Sequence, residues 1–485
     1  MGDFRPPLKL VRTIPLSGIE RPEVLTAFDQ SVLVGGESGE TIRYQLLDRQ
    51  SGEVRWEQTL AGRGSEYTVV FDNVPAYARD VVFLAGPATT AAKAVRVSTG
   101  EVLWSDDTVS DRSERSPLIS DDVIVYSGAN RVVAAELETG EVLWQIDAET
   151  AQAPLCSIGD LVFWLDSDRI VHAVRLRTGE EEWHSGPAPG TPNPYGIEGD
   201  SSLVATDRYL FVSMLRSGLS SGEGSVVQAL DTRDGHVVWS REAEVDNVRK
   251  LLLAYDRLYV VGDTISSLLS ISELAAYDPD SGTLLWKTDK PASGGVGFPS
   301  FEPKLRVPGI ANNTVYYLNL RHRAILARNA LTGTALWSKR AVGFVSMCLA
   351  DGRLLALFSV NDRIEIYEPS HEIFFAHIAD GGGQTTLLTL TNTKPVPTTG
   401  SVHFLNDKGE PLALGMTGQE DSMSTVPFSI PARSSIAIQT TGGSEVQSGW
   451  ARVEADQPIR GSSIFQYSGS GLYSEAGVTD APAAG

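Results

Sequence analysis

The chain has 485 residues, 42% hydrophobic and 21% charged, with a formal net charge of −21. This composition fits a globular chain with a large core and excludes a disordered one. The acidity argues against a nucleic-acid backbone as the main partner and against polybasic membrane attachment, because both need clustered Lys and Arg.

Residues 1–7 show no basic-then-apolar leader pattern. Pro6 stands where an N-myristoylation site needs Ser or Thr. No apolar run has the length of a membrane-spanning helix. Residues 8–17 read as a lone strand, with neither a glycine turn before it nor a tryptophan in it.

From there to residue 368 one eleven-residue phrase recurs seven times, in outline Ala-x-Asp-x-x-Thr-Gly-x-x-x-Trp. Its tryptophans are Trp56, Trp104, Trp144, Trp183, Trp239, Trp286 and Trp337. Its glycines are Gly52, Gly100, Gly140, Gly179, Gly235, Gly282 and Gly333, spaced 39 to 56 residues apart. A period of that size marks a repeat architecture, in which each unit buries its apolar face only against its neighbours. Each unit reads as four short strands separated by turns. The units span roughly 22–60, 63–106, 115–147, 152–185, 199–242, 247–289 and 301–340, and an eighth, 344–368, has only three strands. The strand at 8–17 can supply the missing fourth and close a ring without a long open edge.

Within the phrase, the glycine sits between two strands and should take positive φ. The preceding Ser or Thr can hydrogen-bond inside the turn. The tryptophan is large enough to wedge the seam between sheets, and its indole N–H needs an acceptor. The small Ala94, Ala134, Ala173, Ala229, Ala276 and Ala327, replaced by Leu46 in the first copy, should leave room for a ring from the adjacent unit. The acidic position survives as Asp48, Asp231 and Asp278 but reads Arg96, Glu136, Arg175 or Asn329 elsewhere, the pattern of a solvated turn. Insertions at 215–225 and 263–272, and loops at 186–195 and 290–299, are of the kind that maps to one, often binding, face of a repeat architecture, but their sparse aromatic and arginine content reads as plain loop variation.

After Pro369 the phrase stops. Eight short Thr- and Ser-rich strands with turn signals between them predict a β-sandwich over 371–478, followed by a mobile tail at 479–485. Asp380-Gly-Gly-Gly reads as a turn between two strands, because it lacks the Lys of a phosphate loop and the acidic spacing of a Ca²⁺ loop. Trp164 and Trp450, outside the phrases, are expected in cores.

The seven phrases resemble the Trp-docking repeats of the pyrroloquinoline-quinone-type β-propellers, over residues 8–368. That resemblance implies an all-β fold: an eight-bladed β-propeller over 8–369, with the C-terminal β-sandwich resembling modules of bacterial exported proteins. The superfamily includes quinoprotein alcohol dehydrogenases and non-catalytic scaffolds of outer-membrane protein assembly, and fold does not choose between them.

A quinone-dependent dehydrogenase of this kind needs a Ca²⁺ cage and a carboxylate base. The alcohol dehydrogenases of the family also carry an adjacent cysteine pair. Here Cys156 and Cys348 are far apart, and both are read as small residues on inner strands. The seven histidines form no HxH or HExxH spacing, and no GxSxG elbow occurs. The expectation is therefore a non-enzymatic, monomeric scaffold without catalytic residue, cofactor or metal, which binds a protein partner in the bacterial cell envelope or extracellular space. The alternatives are a pyrroloquinoline-quinone and Ca²⁺-dependent dehydrogenase, and carbohydrate binding or adhesion through the sandwich.

Overall fold

The computed structural model describes residues 8–39, 41–61, 75–85, 92–107, 116–128, 131–147, 155–166, 169–186, 202–215, 225–245, 247–266, 269–288, 309–319, 324–469, 472–479 and 481–482. All regular elements among them are strands. The chain divides into two compact units, essentially Leu10–Glu368 and Pro369–Gly485.

Among the described residues the first unit holds eight four-stranded sheets, seven of them antiparallel and made of consecutive strands. The third is typical: Leu118–Ser120, Val123–Gly128, Arg131–Glu136 and Val142–Asp147, in that spatial order. In the eighth, Phe344–Ala350, Arg353–Phe358 and Arg363–Pro369 are completed by Leu8–Pro15 as the outer strand. The closing strand thus comes from the opposite end of the unit, which removes the open edge that a linear array of sheets would leave.

Neighbouring sheets share apolar cores. Val125, Ala134 and Trp144 of the third sheet pack with Val162, Trp164 and Leu176 of the fourth. Leu25, Val32 and Leu47 of the first pack with Ile14, Leu355 and Ile366 of the eighth. Trp337 of the seventh meets Tyr367 of the eighth edge-on, with centroids 6.2 Å apart. First strands touch first strands across several seams, so they lie at the centre of the ring, and the tryptophan strands lie at its rim. Polar ties reinforce the seams: Tyr44 donates from the first sheet to the Ala85 carbonyl of the second (2.8 Å). The buried Ser202 hydroxyl of the fifth accepts from the Leu251 N–H of the sixth (3.0 Å).

The second unit has two sheets. One runs Thr425–Ile430, Thr398–Leu405, Gln447–Ala455, Ile373–Asp380, Ala481–Pro482. The other runs Ser434–Gln439, Gln384–Asn392, Arg460–Gly469, Leu472–Thr479. Alternate residues from both, among them Leu388, Leu390, Val402, Phe404, Ala451 and Val453, form one core. All eight strands expected from the sequence are present. The tail expected to be mobile is corrected in part: Ala481 and Pro482 pair with Phe374 and Ile373, because the edge of that sheet offers them unpaired backbone groups. Residues 480 and 483–485 lie outside the described residues. Asp380-Gly-Gly-Gly is a turn, with Gly381 at φ 89° and room for no Cβ, since one would lie 1.8 Å from the Glu445 carbonyl oxygen. Asp380 fixes that turn by accepting from the Gly442 N–H (2.8 Å).

Candidate functional site

The repeated residues converge on the seams. Every phrase glycine has φ between 66° and 80°. In six seams a Cβ on that glycine would lie 2.4–2.8 Å from the indole of the preceding sheet, as at Gly140 against Trp104 and Gly179 against Trp144. Glycine is therefore required twice over, for its backbone angle and for close approach of the ring. The indole N–H then donates to the carbonyl three residues before that glycine. Trp56 reaches Val97 (2.7 Å), Trp104 Leu137 (2.9 Å) and Trp144 Leu176 (2.8 Å). Trp183 reaches Thr232 (2.9 Å), Trp239 Pro279 (2.9 Å) and Trp286 Ala330 (3.0 Å). Gly52 faces Ile14 instead, and Trp337 faces the eighth sheet, which has no phrase.

The structure sharpens one expectation about the phrase and corrects another. The small alanine shares its buried cluster with a ring of the adjacent sheet, as Ala134 does with Trp164, Ala94 with Tyr126 and Ala276 with Tyr317, and it also serves a ring of its own sheet. Ala134 lies directly opposite Trp144 of its own sheet, and the same holds for Ala94 with Trp104 and Ala229 with Trp239. A bulge follows each of these alanines, and residues paired across two strands share one face, so its own sheet's ring uses the space as well. The acidic position is not simply solvated. Asp48 accepts from the Ser51 and Gln50 N–H groups (2.7 and 2.8 Å), and these bonds with Arg55 lower its pKa to about 2. Asp231 is 4% exposed and is held well below the carboxylate range, chiefly by Arg233. Where the position carries no carboxylate or amide, the turn still closes through backbone, as in Gly100 N–H to the Arg96 carbonyl (2.7 Å). The Ser or Thr before the glycine accepts from the residue after it, as Thr139 does from Glu141 (3.2 Å).

The chemistry-bearing residues elsewhere are scattered. Cys156 and Cys348 lie on the first strands of the fourth and eighth sheets, and burial pushes both thiols up to about 12, far from a reactive thiolate. Asp231, Asp234 and His236 bring three ligand atoms within 4.8 Å of one another at the fifth turn. Arg233 already pairs with Asp231 (2.6 Å), and His236 with Asp234 (2.6 Å). A quinone–Ca²⁺ centre needs an all-oxygen cage beside a planar cofactor. A rim turn with a resident arginine and an imidazole does not fit that group. Of the insertions and loops singled out in the sequence, residues 216–224, 187–195 and 290–299 lie outside the described residues, as do the side chains of 263–272.

In the second unit Trp450 departs from expectation. Ala451 and Val453 point into the core, so Trp450, Arg452 and Glu454 point out. Trp450 is half-buried there against Phe374, with centroids 6.1 Å apart. Arg452 binds Glu454 (3.0 Å), and His403 lies 3.8 Å from the same carboxylate. This places an aromatic pair beside a charged cluster on the outer face of the five-stranded sheet.

The family model described as outer membrane protein assembly factor BamB matches residues 38–194 and 196–372. The chain belongs to that family. Over 244 residues it is 28% identical to quinoprotein alcohol dehydrogenase PedH of Pseudomonas putida, covering 46% of this chain and 38% of that protein. Over 272 residues it is 22% identical to outer membrane protein assembly factor BamB of Shewanella oneidensis, covering 55% of this chain and 65% of that protein. The chain thus spans 38% and 65% of the lengths of these curated relatives. Among solved structures, BamB from Moraxella catarrhalis superposes with a TM-score of 0.53 at 15% identity, over 74% of this chain and 99% of that one. The quinohemoprotein alcohol dehydrogenase of Comamonas testosteroni does so with a TM-score of 0.53 at 12% identity, over 74% and 76%. These likenesses show the family's propeller fold and leave the chemistry to the residues.

Proposed function

We propose that the ring is a non-catalytic platform of the bacterial cell envelope or extracellular space, and that it acts as a protein-interaction scaffold in outer-membrane protein assembly. The observation that carries this reading is the use of the repeated residues. Indole, glycine, alanine and turn carboxylate are each engaged in holding sheets and hairpins together, which suits a rigid frame that presents loops. The family match and the two BamB relatives support the same reading. Removal of the gene from its host should lower the steady-state amounts of outer-membrane β-barrel proteins in quantitative proteomics, and unchanged amounts would overturn the assembly role. The resemblance to PedH makes the decisive control an enzymatic one: purified chain titrated with pyrroloquinoline quinone and Ca²⁺ should give no dye-linked alcohol oxidation. Clear turnover would replace the scaffold by a dehydrogenase.

A second reading is carried by the outward Trp450. An aromatic face beside Arg452, Glu454 and His403 has the elements for stacking on a sugar ring and binding its hydroxyls. A glycan array should register binding by the intact chain that Trp450→Ala removes. Equal signals for both chains would dispose of it.

A further inference from the structure

The fourth sheet departs from the repeat at one place. Two positions before the tryptophan, the other six copies carry Val54, Val102, Val142, Val237, Leu284 and Ala335, and the fourth carries Glu181. On the ladder of that sheet Trp164 lies directly opposite His172, and His172 directly opposite His184. Residues paired across strands share a face, so an indole and two imidazoles form one row across Leu161–Leu165, Val171–Arg175 and Glu181–His184.

His172 is fixed on three sides. Its ring stacks on Trp164, with centroids 5.2 Å apart and planes 14° from parallel. Its Nε2 lies 3.0 Å from Asp166 Oδ2, and the other oxygen of Asp166 accepts from the Ile170 N–H (2.8 Å). Its Nδ1 lies 3.0 Å from Glu181 Oε1, while Glu181 Oε2 lies 3.4 Å from His184 Nδ1. A neutral imidazole has one N–H, so whichever carboxylate it serves, the other nitrogen turns a lone pair toward a carboxylate oxygen. Only a second proton or a cation relieves that contact. With the proton on the Asp166 side, the unrelieved contact is at Nδ1, where a cation would meet the second imidazole as well. A carboxylate behind the ring is the usual partner of a metal-bound histidine, because it fixes which nitrogen keeps the proton.

The place is open to water: the side chains of His172, Glu181 and His184 are 24%, 47% and 61% exposed. Donor atoms on one tetrahedral zinc ion stand about 3.3 Å apart, given bonds of about 2.0–2.1 Å. The two nitrogen–oxygen distances, 3.0 and 3.4 Å, lie on either side of that value. The imidazole centroids are 6.3 Å apart, and rotation of the exposed His184 brings its ring onto a shared ion. Two imidazoles and one carboxylate suit Zn²⁺, whereas Ca²⁺ and Mg²⁺ take oxygen ligands. The group at the fifth turn is poorer, since Arg233 already holds Asp231 (2.6 Å).

We propose that His172 and His184, each through Nδ1, and the Glu181 carboxylate bind Zn²⁺, with water in the fourth position. The ion ties the tryptophan strand of the fourth sheet to the strand beside it, and the site is independent of whether the ring serves outer-membrane assembly.

The test is isothermal titration of the full chain, without a histidine tag, with ZnCl₂ and separately with CaCl₂. Saturable heat is expected from Zn²⁺ and none from Ca²⁺. His172→Ala should weaken Zn²⁺ binding by roughly tenfold or more, as loss of a ligand must cost at least what loss of its carboxylate partner does. Because His172 packs on Trp164, that variant can fail for reasons of folding. His184→Ala, on an exposed side chain, should then show the same loss by itself, with thermal unfolding unchanged in metal-free buffer. His236→Ala should leave the affinity as it was. No saturable heat from Zn²⁺, equal binding of Zn²⁺ and Ca²⁺, unchanged affinity in His184→Ala, or a loss in His236→Ala in its place would each overturn the proposal.

Discussion

Six seams of the ring close by setting an indole on a glycine turn, whereas the seam formed by the two ends of the first unit closes on Ile14 and an ion pair. A tryptophan buries ~150–250 Å² and anchors its N–H on a fixed carbonyl. Ile14 buries less, and Arg49–Asp351 adds a contact whose carboxylate is 56% exposed. Pairs of that kind contribute little beyond the cost of desolvating the buried partner. The periodic seams therefore add an anchored ring to the kind of apolar core that the closing seam has too. The closing seam satisfies topology without one.

The largest effect should come from removing a wedge. Trp144→Ala should destabilise the ring by about 3–5 kcal/mol in urea unfolding, since it opens a cavity and leaves the Leu176 carbonyl without its donor. Ile14→Ala, at a residue 1% exposed, should cost about 2–4 kcal/mol. If it cost more than Trp144→Ala, the ranking of the seams would be reversed. Asp351→Ala, which strands the buried Arg49, should cost about 1–2 kcal/mol because the carboxylate is half in water. A double-mutant cycle with Arg49→Met should recover part of that loss.

On the second unit, Trp450→Ala should cost under ~1 kcal/mol, because the ring lies outside the core that Phe404 and Val453 occupy. The smallest effect should be acidic. The Asp48 pKa is lowered from 3.8 to about 2 in the fold, so its contribution is fully present above the unfolded value and is lost as pH falls through about 2. Asp48→Asn should flatten that part of the stability–pH profile, and an unaltered profile would assign the acid sensitivity to other carboxylates.

The sheets and the strand that closes them were legible because the signal repeats. One tryptophan is weak evidence, but seven at a common spacing from a glycine state where a hairpin turns and where a ring must go. The second unit was legible in its strands, which follow from alternation and turn residues, but not in which face Trp450 would take. Aromatic residues suit either face of a sheet, and only the register, with Ala451 and Val453 inward, decides. The alanine's second role was hidden for a related reason: spacing along the chain does not say which ring of its own sheet lies across the hairpin, and the pairing of Ala134 with Trp144 does. No signal in the sequence pointed to Arg49, which looks like any arginine in a turn until Asp351, 302 positions away, is placed beside it.

The sequence by itself therefore determined the number and order of the repeated sheets, the turns between their strands, and the strands of the second unit. Those follow from local chemistry: positive φ at glycine, capping at Ser, Thr and Asp, and alternation along strands. Only the tertiary structure decided which residues meet across the closing seam, that Arg49 is buried there with one nitrogen unpartnered, and that Trp450 faces outward. Those depend on contacts between distant parts of the chain, which no local pattern encodes.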